Sequence, residues 1–280
     1  MNDRFLFVHE LSRSQNKILS RVTDTKTGID VVMKKILLSD GNISVVENEA
    51  LILKSLHHEN IIRCYSHFFD FNDKYCAIIL ELVDGIDLGI EISRRNQSES
   101  FFENNHMYMI TRQLLLALEY LNFNCIVHGD VKPSNIMLLS DSNVKLCDFG
   151  LAKTLRPETR ITEEDSREKH QKDLRCLSGS PRYMAPELFC VGQLSSHYSD
   201  LWSLGCVIQE IIQLKPLFHS SNLSELAQEI QSSVIHADLT HELSRACIDL
   251  LVRDPSRRGT ATSTLTQLRD KMPCSDDGTE

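Results

Sequence analysis

Four side chains in the stretch IVHGDVKPSNIMLLSDSNVKLCDFG, residues 126–150, have the types and spacing that phosphoryl transfer needs. Asp130, Lys132, Asn135 and Asp148 fall on two short loops, separated by apolar runs (IMLL and VKLC) that read as a pair of strands. Moving a phosphoryl group requires a base or orienter on the attacking hydroxyl, oxygen ligands for Mg²⁺, and positive charge near the group in transit. Two carboxylates, an amide and an ammonium supply all three. Asp and Asn are hard oxygen donors, which suits Mg²⁺ rather than zinc.

The elements that position these loops follow from periodicity. Residues 4–10 and 17–23 read as strands joined by SRSQN, and 30–37 as a third strand. Residues 43–56 read as a helix, because Val46, Ala50, Leu53 and Leu56 recur at three- and four-residue spacing. Strands at 64–70 and 75–81 follow. Beyond them the pattern turns helical, with one apolar stripe on Ile110, Leu114, Leu118 and Leu121 and another on Leu201, Leu204, Ile208 and Ile211. The polar stretches 93–105 and 153–175 read as connections. Strands first and helices after give an α+β fold with two lobes.

Composition narrows the function class. The chain has 280 residues, 41% hydrophobic and 25% charged, enough for a sizeable core in one bilobal domain or two small ones. A net charge of −9 argues against a general nucleic-acid binder. The nine cysteines are scattered without a C-x-x-C pair, which reads as reduced thiols in a cytoplasmic or nuclear protein. The apolar run near the start is too short for a secretory signal, and no stretch approaches a membrane span.

The stretch 126–150 resembles the catalytic and metal loops of eukaryotic protein kinases, H-R-D-x-K-x-x-N followed by D-F-G, with Gly129 in place of the Arg. Three further motifs fall in the family's order. Gly179-Ser180-Pro181-Arg182-Tyr183-Met184-Ala185-Pro186-Glu187 resembles G-T-P-x-Y-M-A-P-E. Asp200-Leu201-Trp202-Ser203-Leu204-Gly205 resembles D-x-W-S-x-G, and the Asp254-Pro255 run ending at Arg258 resembles D-P-x-x-R. The resemblance covers about residues 4–270 and implies a single domain with a bilobal kinase fold. A small, mainly β N-lobe with one helix would span about 4–83, a larger helical C-lobe about 84–270, and a tail 271–280.

The same resemblance implies ATP and Mg²⁺ as cofactors and protein substrates with Ser or Thr acceptors, Lys132 and Ser180 marking the serine/threonine variant. It implies neither nucleic acid nor a membrane segment. Asp130 would orient the substrate hydroxyl and accept its proton, and Lys132 would balance charge on the transferring phosphate. Asn135 and Asp148 would hold Mg²⁺. Lys34, in V-V-M-K, would hold the α- and β-phosphates and pair with Glu49, with Lys35 and Glu47 as rivals for these two places. Leu11, Leu19, Val32, Leu80, Glu81 and Val83 would line the adenine site, Leu80 as gatekeeper and Glu81 to Val83 as hinge. Ser180 could bond Asp130 and Lys132, Phe149 would pack against the Glu49 helix, and Arg258 would pair with Glu187. His128 reads as a packed histidine. Asp87 reads either as a ribose or substrate contact or as a helix N-cap. Cys147 reads as a small core residue, or as an alkylable thiol if it faces the nucleotide.

Three departures stand out. The glycines of the phosphate-covering loop G-x-G-x-x-G fall on Ser12, Ser14 and Lys17, Val32 replaces the usual Ala, and Gly129 replaces Arg. Glycines let a backbone lie close to phosphates, so their loss leaves an alternative, a pseudokinase acting as a nucleotide-binding or scaffold module. The lost Arg predicts weak dependence on phosphorylation of the segment 151–178, which carries Thr154, Thr159, Thr162, Ser166 and Ser178. Small-molecule phosphotransferases of the aminoglycoside or choline kinase type share an H-G-D motif but generally lack the A-P-E segment and the D-x-W-S-x-G helix.

Overall fold

The computed structural model describes residues 4–39, 41–139, 143–155, 180–190 and 193–269. The tail 271–280 and the hydroxyls of Thr159, Thr162, Ser166 and Ser178 lie outside the described residues. Five antiparallel strands come first: β1 (Phe5–Arg13), β2 (Lys17–Asp24), β3 (Ile29–Leu37), β4 (Cys64–Asp70) and β5 (Tyr75–Glu81). Their order in the sheet is β1-β2-β3-β5-β4. Gly28 closes the β2–β3 hairpin at φ +71°, a conformation cheap for glycine alone, and its N–H donates to the Asp24 carbonyl at 2.8 Å.

Alternation along β3 divides its side chains between two cores. Val31 and Met33 join Val22, Tyr75, Ala77 and Ile79 on one face. Val32 and Ile36 join Ile78, Leu80 and the inner face of α1 (Ile43–Ser55) on the other, where Lys34 must also point. On α1 the buried residues Val46, Glu49, Ala50 and Leu53 follow one helical stripe, while Glu47 is exposed.

The C-lobe is built on helices. α2 (Leu88–Gln97) and α3 (Asn104–Phe123) precede α4 (His197–Gln213), and α5 (Leu223–Ser232), α6 (Glu242–Cys247) and α7 (Ala261–Arg269) follow. Every residue of α4 from Ser199 to Ile212 is buried, so this helix is the central post of the lobe. Arg258 ties the far end to the middle, its guanidinium bidentate on the Glu187 carboxylate at 2.8 Å for each bond and donating also to the Tyr198 carbonyl. Against α2 and α3 lie two small sheets. β6 (Gly85–Asp87), β8 (Ile136–Leu139) and β9 (Val144–Leu146) form one, and β7 (Ile126–Val127) with β10 (Lys153–Thr154) the other.

Several boundaries differ from the sequence reading: of the stretches read as connections, residues 104–105 open α3 and Lys153–Thr154 pair as β10. The strand expected to stop near residue 10 runs to Arg13 with two irregularities, and the turn shrinks to residues 14–16 because the Ser14 N–H donates to the Lys17 carbonyl at 2.8 Å. The polar stretch from 93 is helical as far as Gln97. Its charge is that of a helix face, since Arg94 and Arg95 both reach back to Glu91, three and four residues earlier. Among the described residues, no helix is long and apolar enough to cross a membrane.

Candidate active site

Between the lobes lies a cleft of about 470 Å³ lined by the five-stranded sheet and the β6-β8-β9 sheet. Leu11, Leu19 and Val32 form its N-lobe side, Leu80, Glu81 and Val83 the connecting edge, and Asn135 and Asp148 the opposite side. Leu53, Ile62 and Met137 line it as well, and the sequence reading did not include them. Leu53 was within reach of that reading, one helical turn after Glu49 on the same face. Met137 was not, because its place depends on the β8–β9 pairing.

Lys34 sits at the inner end of the cleft. Its ammonium bonds Glu49 on α1 and, at 2.7 Å, Asp148 Oδ1. Its side chain is 5% exposed and that of Glu49 7%. Burial disfavours the Lys34 charge, but the two carboxylates more than offset this and hold its pKa above the ordinary lysine value. Lys35, the rival, points to the opposite face and lies 4.5 Å from the centre of the Tyr75 ring. The alternation of β3 thus decides between the two lysines, and the helical stripe of α1 decides between Glu49 and Glu47.

Asp148 carries one ammonium on each oxygen, Lys34 on Oδ1 and Lys17 on Oδ2, both at 2.7 Å. Burial opposes its charge, yet the two lysines hold its pKa well below the usual carboxylate range. The backbone at Asp148 is left-handed, φ +55°, a region Asp tolerates better than most residues. Phe149, next in the chain, is fully buried in the core cluster that includes Val46, Ala50 and Leu53, with its ring edge-on to His128 at 4.7 Å.

The second loop is held from below. His128 and Gly129 donate their backbone N–H groups to the two oxygens of buried Asp200 on α4, at 2.7 and 2.9 Å. His128 is fully buried, and burial lowers its pKa. Its Nδ1 accepts the Asp130 N–H, so Nε2 is the protonated nitrogen and donates to the Cys147 carbonyl at 3.0 Å. It is a neutral crosslink between the two loops. Gly129 has φ +77°, and a Cβ there would lie 3.0 Å from the Leu151 carbonyl oxygen, so both the backbone conformation and the space favour glycine.

Asp130 Oδ2 accepts from Lys132 Nζ at 2.6 Å and from Asn135 Nδ2 at 2.8 Å. Asn135 also donates to the Asp130 carbonyl at 2.8 Å. Both contacts use its nitrogen, which leaves Oδ1 outside them and available as an oxygen donor. An amide oxygen and a charged carboxylate on the same wall of the cleft fit Mg²⁺, which takes one or two protein oxygens and completes its shell with phosphates and water. Ser180 shares a small cleft with Gly129, Asp130 and Val131 but bonds neither Asp130 nor Lys132 among the described residues; those two are bonded to each other. Asp87 accepts from the N–H groups of Gly89 and Ile90 and is the N-cap of α2.

Cys147 lines the cleft, and burial pushes its thiol pKa up to about 12. A protonated thiol is a poor nucleophile. Iodoacetamide at neutral pH is therefore expected to label the exposed Cys125 and Cys190 and to leave Cys147 unmodified. Peptide mass spectrometry reads this directly, and equal labelling of Cys147 would contradict it.

A two-lobed α+β molecule with a lysine–glutamate pair in one lobe and an Asp-Lys-Asn loop facing a D-F-G segment in the other defines a protein kinase domain. The chain belongs to the protein kinase family, whose domain model matches residues 16–268. It is 35% identical over 227 residues to the serine/threonine-protein kinase Nek9 of Mus musculus, covering 78% of this chain and 21% of that protein. It is 36% identical over 238 residues to the serine/threonine-protein kinase ULK3 of Homo sapiens, covering 81% of this chain and 46% of that one. To the serine/threonine-protein kinase RUNKEL of Arabidopsis thaliana it is 34% identical over 221 residues, 76% of this chain and 15% of the relative. The chain therefore spans less than half the length of each of these three relatives.

Proposed function

We propose that this chain is an ATP-dependent serine/threonine protein kinase domain, spanning about residues 4–270 and working with Mg²⁺ inside the cell. The observation that carries this reading is the unbroken series Glu49–Lys34–Asp148, whose Asp148 end shares a wall of the cleft with Asn135, itself bonded to Asp130 beside Lys132. Asn135 Oδ1 and Asp148 would hold Mg²⁺, which would supply positive charge to neutralise the phosphates. Lys34 fixes the phosphates, and Glu49 keeps Lys34 aimed. Asp130 accepts the proton of a substrate hydroxyl, which its contacts to Lys132 and Asn135 orient. Leu11, Leu19, Val32 and Leu80 enclose the base, with Glu81 and Val83 offering backbone groups to its edge. An intracellular setting follows from the scattered thiols.

The test is phosphate transfer from Mg²⁺-ATP to a mixed Ser/Thr peptide library, with Asp130→Asn as control. Nucleotide binding without transfer by the parent chain would replace this reading with that of a scaffold.

Gly129 also bears on regulation. It offers no guanidinium to a phosphate on the segment that follows Thr154, so phosphatase treatment is expected to change activity by less than about twofold. A tenfold loss, read by the same peptide assay, would mean that another cation fills the role.

A further inference from the structure

Lys17 stands where the family places the third glycine of its phosphate-covering loop, and its side chain is in the cleft. Strand register puts it there. Leu19, two residues on, lines the same cleft, and the Lys17 carbonyl is fixed by the Ser14 amide at 2.8 Å and the Ser14 hydroxyl at 3.3 Å. Its ammonium lies 2.7 Å from Asp148 Oδ2. Among the described residues lining the cleft, Lys17 and Lys34 are the two cations.

The two lysines are held differently. Lys34 is buried and bound to two carboxylates, whereas the Lys17 side chain is 33% exposed, with Asp148 as its ion-pair partner. With Lys17 the group of Lys17, Lys34, Glu49 and Asp148 is neutral. Without it the group carries a net negative charge, which repels a polyphosphate. The loop also lacks the glycines that let backbone amides approach phosphates closely.

We propose that Lys17 is a phosphate-binding residue for the nucleotide, a second lysine that supplies the positive charge which glycine-loop amides supply elsewhere. Lys17 is the ammonium free to change partner, from a carboxylate oxygen of Asp148 to a phosphate oxygen, because Glu49 keeps Lys34 in place. The pair with Asp148 keeps the Lys17 side chain inside the cleft and so preorganises it. This proposal rests on the nucleotide reading above.

The test is calorimetric binding of ATP and of adenosine in EDTA, for the parent chain, Lys17→Met and Lys17→Arg. Without divalent metal, the phosphate contacts are those of the protein alone. Lys17→Met is expected to weaken ATP about ten- to a hundredfold, the range of one charge-assisted hydrogen bond, and to leave adenosine within about twofold. Lys17→Arg should retain most of the ATP affinity. Unchanged or tighter ATP binding by Lys17→Met, or an equal loss for adenosine, would overturn the proposal. A parent chain that binds adenosine as tightly as ATP would also overturn it while leaving a nucleotide site. A parent chain that binds neither would overturn the nucleotide reading as well.

Discussion

Asp130→Asn is expected to transfer phosphate at least about a hundredfold more slowly than the parent chain while binding nucleotide with unchanged affinity. Asp130 does not line the nucleotide cleft; it lies at the small neighbouring cleft with Ser180, on the side where a substrate would approach. Its Oδ2 accepts from Lys132 and Asn135, and an amide oxygen can still accept both bonds, so the loop keeps its shape. What the amide cannot do is accept a proton. The loss should therefore fall on kcat, with KM for ATP held within about threefold. A variant that transfers at the parent rate would show that Asp130 only orients, or that the base lies elsewhere.

Lys34→Met should do two things that can be separated. It abolishes transfer, and it lowers the unfolding free energy by about 3–5 kcal/mol, because the Glu49 carboxylate stays buried without its partner. Asp148 keeps Lys17, so the penalty centres on Glu49. Adding Glu49→Leu removes the orphaned charge, and the double variant is expected to regain most of the lost stability and none of the activity. Chemical denaturation and the peptide assay on the same three proteins decide it. A double variant no more stable than Lys34→Met would show that packing, not charge, sets the cost. The pH dependence of the parent follows with a defined sign. The folded pKa of Asp148 is depressed, so its contribution is present above its ordinary value of 3.8 and is lost as pH falls from there. The folded pKa of Lys34 is raised, so its contribution is present below 10.5 and is lost as pH climbs past that value.

The sequence disclosed most where periodicity and local chemistry act together. Strands 64–70 and 75–81 emerged at their expected limits, because their apolar and aromatic residues are interrupted by the turn 71–74 with its polar run Asn72-Asp73-Lys74. Lys34 and Lys35 show how far such patterns reach. Alternation guarantees that they face opposite ways, but the packing of Val32 and Ile36 against α1 is what decides which face is the cleft. The helical end of 93–97 stayed hidden because its stabilising contacts are ion pairs to a single glutamate, which in sequence look like any polar run. Lys17 and Asp148 lie 131 residues apart, and no local pattern links them. Their meeting is a property of the closed cleft.

One bridge across the lobes has a mechanical consequence. Just after α1, the Leu146 amide donates to the Asn60 carbonyl at 2.8 Å and the Ile62 amide to the Leu146 carbonyl at 3.0 Å, pinning this segment to β9 of the other lobe. Together with the chain crossing after β5, these bonds define a line about which the N-lobe can tilt. Four strands of the sheet extend away from that crossing on the β1 side, counting β5 itself. At about 4.8 Å per step, β1 lies about 14 Å out, so a tilt of about 10° would carry it about 2.5 Å. A small rotation of the lobe about this line would displace the Lys17 hairpin more than the strands nearer the crossing, and the Glu49–Lys34 bond would tie α1 to β3 as the sheet turns.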